Sequence, residues 1–123
     1  MPAHRILIVE DEPDGADLVR LLLKSKGKEA AVTSNAEGAI AALQADPNAY
    51  SAVVIDLALP EMDGFELMNY LRSSGFTNLP LIAITAFHTP ELKVRALENG
   101  FDAYFAKPID TAAFAASLDS FLN

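Results

Sequence analysis

The sequence predicts a single α/β domain, a doubly wound five-stranded parallel sheet covered by five helices. Five short apolar runs alternate with five longer segments of helical periodicity, and that alternation calls for parallel strands joined by right-handed crossovers. Several of the runs are apolar throughout and stop abruptly at a polar residue, as strands buried on both faces do. At 123 residues the chain is one domain of a size that buries roughly 65–70% of its unfolded surface, so it needs neither disulfide nor structural metal to fold.

Arg5-Ile-Leu-Ile-Val9 is the first strand, ending at Glu10-Asp11-Glu12. Pro13 suits the first turn of a helix in which Leu18, Leu21, Leu22 and Ser25 recur at helical spacing until Gly27. Glu29 to Thr33 reads as a second strand. Asn35 caps a helix running through Leu43, with Ala39, Ile40, Ala42 and Leu43 inward, and Asp46-Pro47-Asn48 breaks it. Ser51 to Asp56 is the third strand, Pro60 to Gly64 a turn cluster, and Phe65 to Ser74 a helix bounded by Gly75. Leu81 to Thr85 is the fourth strand, followed by a helix from Pro90 to Asn99 closed by Gly100. Ala103 to Ala106 is the fifth strand. After Lys107-Pro108, Asp110 caps a last helix with Phe114, Leu118, Phe121 and Leu122 on one face. No repeat, charge block or linker divides the chain, so residues 1–123 read as one domain with no output domain.

Composition narrows the function. Seventeen Asp and Glu against nine Lys and Arg give a net charge of −8, so the chain lacks the clustered cations that neutralise phosphates, and any DNA contact is expected to be indirect. With no Cys, disulfide, zinc–thiolate and Cys-nucleophile chemistry are excluded together. No apolar run approaches the ~20 residues a bilayer span needs, and Met1 to Arg5 lead into a strand without a signal-peptide design. The expected location is cytoplasmic.

In open α/β sheets the site lies beyond the carboxyl ends of the strands. Four of the five predicted strands end there in chemistry-bearing residues: Glu10 and Asp11, Asp56, Thr85 and Lys107. Any one of them alone is explained as a solvated loop residue; together at one rim they are not. Carboxylates converging within a few ångström repel by about 4 kcal/mol per close pair at an effective dielectric of 20. Lys107 can offset one charge, and a hard divalent ion with oxygen ligands the others. Mg²⁺ suits such a site, since it takes one or two carboxylates and keeps waters that a phosphoryl group can replace.

The runs Ile-Leu-Ile-Val-Glu10-Asp11-Glu12-Pro, Val-Val-Ile-Asp56-Leu-Ala-Leu-Pro60-Glu-Met-Asp-Gly64, Ile-Thr85-Ala and Tyr104-Phe-Ala-Lys107-Pro108 resemble the response-regulator receiver domain of bacterial two-component signalling. The resemblance covers the whole chain, in order and at family-like spacing. It implies the flavodoxin-like strand order 2-1-3-4-5. It also implies that Asp56 is the phosphoacceptor, taking a phosphoryl group from the phosphohistidine of a sensor histidine kinase or histidine phosphotransfer protein, or from a small donor. Asp11, Asp56 and the backbone carbonyl of Ala58 would hold Mg²⁺, with Glu10, where Asp is commoner, acting through water. Lys107 would offset phosphoryl charge and Thr85 would hydrogen-bond a phosphoryl oxygen. Gly64 would permit the turn after Pro60, and the Lys107-Pro108 bond would be cis.

The resemblance further implies a switch, with Thr85 moving toward the phosphoryl group and Tyr104 swinging from an exposed to a buried rotamer. That would reshape the face of the fourth helix, fifth strand and fifth helix for an unknown downstream protein; the plain alternative is a half-buried edge aromatic. Ala58 and Phe87 occupy the two positions flanking the hydrolytic water, which predicts slow autodephosphorylation, unless Phe87 merely packs. Gly15, Leu18 and Ile109 match kinase-contact positions, although Leu18 reads more simply as core. His88, in a loop beside Thr89 and Pro90, reads as exposed and inert. A monomer is expected, with dimerisation on phosphorylation left open.

Two further readings stay in view. The chain can be a stand-alone regulator or a receiver from a hybrid histidine kinase. An Asp-nucleophile phosphatase would need a second Asp two residues after Asp56, where Ala58 stands, and a flavin binder would need a Gly-rich phosphate loop where Glu10-Asp11-Glu12 stands.

Overall fold

The computed structural model describes residues 4–122; the reading of Met1 to Ala3 as free of a signal-peptide design falls outside them. Five strands, β1 (Arg5–Val9), β2 (Glu29–Thr33), β3 (Ala52–Asp56), β4 (Leu81–Thr85) and β5 (Ala103–Ala106), alternate with five helices, α1 (Pro13–Ser25), α2 (Ala36–Ala45), α3 (Gly64–Ser73), α4 (Pro90–Asn99) and α5 (Thr111–Leu122). All neighbouring strands are parallel, in the order β2-β1-β3-β4-β5. Every residue of β3 and β4 is buried, as expected for central strands covered on both faces, whereas the edge strands β2 and β5 are mixed.

Successive strand residues point to opposite faces, and two cores result. Leu7, Val9, Val53, Ile55, Leu81 and Ala83 pack under α2, α3 and α4, against Leu43, Leu67, Met68, Leu71 and Ala96. Ile6, Ile8, Val54, Ile82 and Ile84 pack under α1 and α5, against Val19, Leu23, Phe114 and Leu118.

Local chemistry sets the helix ends. Asn35 accepts from Gly38 N at 2.7 Å to cap α2, Thr89 accepts from Leu92 N at 3.0 Å to cap α4, and Asp110 accepts from Ala113 N at 3.1 Å at the start of α5. Helix α3 begins one residue earlier than expected because Asp63 and Glu66 form a reciprocal capping box, with Glu66 N donating to Asp63 and Asp63 N to Glu66. The inward stripe of α1 also differs from the expected one: Ala16, Val19 and Leu23 are buried, while Leu18 and Leu21 are 54% and 61% exposed. Of the four leucines of α1, Leu23 is buried and Leu22 packs partly against the core, while Leu18 is not a core residue.

The turn between β3 and α3 works differently from the sequence reading. The positive-φ residue is Glu61 (φ 63°), not Gly64. Gly64 is required for close approach: a Cβ there would lie 2.7 Å from Asp56 O and 2.7 Å from Leu57 Cα. Its N–H donates to Leu57 O at 3.1 Å, so the first turn of α3 is seated on the backbone that carries Asp56.

At the opposite edge of the sheet, the Arg72 guanidinium donates to the carbonyls of Gly100, Phe76 and Leu79 and to Asp102. Asp102 in turn accepts from Leu81 N at 2.9 Å, which fastens the starts of β4 and β5 to the end of α3. Overpacking without room to relax costs about 2 kcal/mol, so Gly64→Ala should destabilise the fold by that amount in urea denaturation, with an unchanged slope against denaturant.

Candidate functional site

Strand register assembles the site. Val9 pairs with Ile55, so Glu10 follows level with Asp56. Asp56 pairs with Ile84 and Thr85 with Ala106, which brings Thr85 and then Lys107 to the same rim. Strand alternation sorts these residues by face. Glu10 and Asp56 continue the series of Ile8 and Val54, under α1 and α5. Thr85 follows Ala83, and Tyr104 lies in the same core as Ala83, under α2 to α4.

Glu10, Asp56 and Thr85 are the buried polar residues of the described chain. The Lys107 ammonium donates to Glu10 Oε2 at 2.8 Å and to Asp56 Oδ2 at 3.0 Å. Asp56 Oδ1 accepts from Ala58 N at 2.9 Å, and Glu10 Oε1 from Glu12 N at 3.2 Å. The long arm of Glu10 therefore folds back onto the lysine and its own loop. A Cβ at Gly15 would lie 3.3 Å from Glu10 Cδ, so the absence of a side chain on α1 makes room for that carboxyl.

The Thr85 hydroxyl accepts from Phe87 N at 3.0 Å. A hydroxyl has one donor hydrogen as well as its acceptor lone pairs, so Thr85 retains a donor to offer an anion. The Lys107-Pro108 peptide is cis.

Asp56 and Lys107 open onto a cavity of about 470 Å³ lined also by Asp11, Gly15, Ala58 and Phe87, whereas Glu10 and Thr85 are buried beside it and do not line it. Phe87 is 71% exposed, so it stands at the mouth and does not pack into the core. Carboxylate oxygens of Glu10, Asp11 and Asp56 lie within 4.8 Å of one another. A set of hard oxygen donors carrying more than one negative charge, with a single ammonium to balance it, fits a hard divalent cation such as Mg²⁺.

Of the remaining expected residues, Gly15 is half-buried against Glu10, Leu18 is exposed, and Ile109 is partly buried against the core under α1 and α5. Tyr104 is 8% exposed, so its ring already holds the inward position. His88 is exposed, as expected, and belongs to no metal-ligand cluster among the described residues, but its Nδ1 lies 2.8 Å from the Tyr104 hydroxyl. Nothing in the linear sequence marks that contact, because the pair is separated by sixteen residues and brought together by the turn out of β4.

Fold and site together define a doubly wound α/β domain with an acidic cleft at the carboxyl edge of its sheet. The family model described as the response regulator receiver domain matches residues 6–119, and the chain belongs to that family.

A 14.6 kDa protein from the sodA1 3′ region of Leptolyngbya boryana is 42% identical, aligning 85% of this chain with 79% of its own length. The alkaline phosphatase synthesis transcriptional regulatory protein SphR of Synechococcus elongatus is 35% identical over 99% of this chain, which spans only 50% of that regulator. The signal receiver domain of a signal transduction histidine kinase from Syntrophus aciditrophicus superposes with a TM-score of 0.86 at 30% identity, covering 98% of this chain and 90% of that one. No helix among the described residues is long and apolar enough to cross a membrane.

Burial, reinforced by the neighbouring Asp56 charge and opposed by Lys107, raises the Glu10 carboxyl from 4.5 to about 7. The folded chain therefore holds a proton that the unfolded chain releases. The associated stability is fully present below pH 4.5 and lost as pH rises through about 7. Burial lowers the affinity of the Lys107 ammonium for its proton, but the two carboxylates outweigh it and the net shift is upward from 10.5, outside this window. Denaturation in EDTA should show stability falling by on the order of 3 kcal/mol between pH 5 and 8, and Glu10→Gln should flatten that slope.

Proposed function

We propose that the chain is the phosphoacceptor of a two-component system or phosphorelay, with Asp56 as the residue phosphorylated. The observation that carries this is the seating of the Asp56 carboxylate on the floor of an open cavity, with one oxygen bonded to Ala58 N and the other to the Lys107 ammonium. One Asp56 oxygen attacks the phosphorus of a phosphohistidine, or of a small donor such as acetyl phosphate. The P–N or P–O bond to the donor breaks and an aspartyl phosphate remains.

Asp11, Asp56 and the Ala58 carbonyl would hold Mg²⁺, with Glu10 contributing through water. When bound, the ion supplies positive charge against the phosphoryl oxygens. Lys107 supplies charge from the other side, already aimed by its bond to Asp56, and Thr85 donates its free hydroxyl hydrogen to a phosphoryl oxygen. The chain thereby assists its own phosphorylation and dephosphorylation without acting as an enzyme on another substrate.

The phosphoryl group adds roughly −1.5 to −2 charge. We read the response as a Thr85–Tyr104 switch that favours the inward Tyr104 ring and alters the surface of α4, β5 and α5. The donor is a sensor histidine kinase or a histidine phosphotransfer protein meeting α1 around Gly15 and Leu18 and the segment at Ile109. Relatives that include a transcriptional regulator and a histidine kinase receiver support both the regulator and the hybrid-kinase settings for this domain. The working compartment is the cytoplasm, where such kinases present their phosphohistidine.

Incubation with acetyl phosphate and Mg²⁺ followed by intact-mass analysis should give one phosphate adduct, absent from Asp56→Ala and from an EDTA control. An adduct that persists in Asp56→Ala overturns the assignment.

Ala58 carries no polar side chain to orient an attacking water, and Phe87 guards the cavity mouth, so the aspartyl phosphate is expected to be long-lived. Ala58→Asn combined with Phe87→Glu should shorten its lifetime about tenfold, equivalent to ~1.4 kcal/mol of transition-state stabilisation. An unchanged decay of radiolabel would count against this account.

A further inference from the structure

We propose that His88 is a latch that holds the Tyr104 ring inward through a bond independent of the phosphoryl site. His88 Nδ1 lies 2.8 Å from the Tyr104 hydroxyl, and the two rings lie 5.5 Å apart at 53°. The contact therefore combines a hydrogen bond with ring packing. It involves neither Asp56 nor Thr85, whose polar atoms bond to Lys107, Ala58 and Phe87.

The loop that carries His88 is tied at both ends. Lys107 N donates to Thr85 O at 2.8 Å, and Thr89 caps α4 through Leu92 N at 3.0 Å. His88 thus reaches Tyr104 from a backbone fastened on either side. Burial raises the Tyr104 phenol above its ordinary value of 10, so the hydroxyl stays a neutral partner across the physiological range. His88 is a positioning residue: it lies outside the phosphoryl site and acts through Tyr104. A ring held inward by its own bond narrows the difference that phosphorylation makes at the α4–β5–α5 surface. That consequence rests on the Thr85–Tyr104 reading above, whereas the latch itself does not.

Nitration of the full chain by tetranitromethane, read peptide by peptide, tests this. Tyr50 and Tyr70 serve as internal references. Tyr104 should react slowly in the wild type, and His88→Ala should speed its nitration about fivefold, the population shift that one hydrogen bond supports, with the reference tyrosines unchanged. His88→Asn, whose amide reaches the place of Nδ1, should restore most of the protection. Equal Tyr104 rates in wild type and His88→Ala, with circular dichroism unchanged, overturn the latch.

A parallel arm adds beryllofluoride and Mg²⁺ to His88→Ala. Renewed protection of Tyr104 supports the Thr85–Tyr104 reading. Its absence alongside the fivefold effect removes that reading and leaves the latch standing.

Discussion

A single ammonium shared by two buried carboxylates is the interaction on which the carboxyl edge of this domain depends. Glu10 and Asp56 are buried and emerge level from adjacent strands; without Lys107 at 2.8 and 3.0 Å their desolvation and mutual repulsion would stand uncompensated. Breaking a buried pair by removing one partner typically costs about 3–5 kcal/mol, far more than an exposed pair such as Arg20–Asp17 contributes. The compensation is partial, one positive charge against two negative ones, with Asp11 adding a third within the same 4.8 Å. The unbalanced charge suits the cleft to a cation, and burial together with that imbalance raises the Glu10 carboxyl.

The register of three central strands creates that arrangement, and register was legible because β1, β3 and β4 are apolar up to a polar last or next residue. A strand buried on both faces can carry a charged group only where it leaves the sheet, so Glu10, Asp56 and Thr85 marked both the strand ends and the site. The turn out of β3 was less legible. Pro60 and Gly64 suggested that glycine supplies the unusual backbone angle, yet Glu61 adopts it, and Gly64 is needed because α3 sits on the carbonyl of Asp56. A close approach between segments leaves no periodic trace in a sequence.

Helix α1 shows the same limit. Leucines at helical spacing read as an inward stripe, but the inward face of α1 is made by Ala16, Val19 and Leu23 with Leu22 at its margin, leaving Leu18 and Leu21 outside. His88, in a loop beside Thr89 and Pro90, reads as an exposed residue, and its partner comes from β5. The role of Arg72 leaves no mark in the sequence because its acceptors are mostly backbone carbonyls, which every residue possesses and no sequence pattern advertises.

Arg72 and Lys107 divide the mechanical roles between the two edges of the sheet. At the amino edge, Arg72 and Asp102 tie α3, β4 and β5 together through the Leu81 amide and the Gly100 carbonyl, so the strands themselves have little freedom to slide. At the carboxyl edge, Thr85 is tied by its carbonyl to Lys107 N, and Thr89 is tied by its cap on α4. The segment between those two ties holds Ala86, Phe87 and His88. Phe87 lines the cavity that contains Asp56, and His88 bonds the ring of Tyr104. Two adjacent residues thus face the acidic cavity and the Tyr104 ring, so under the proposed function a change in side chain at either position bears on the phosphoryl group or on its readout with little disturbance to the frame.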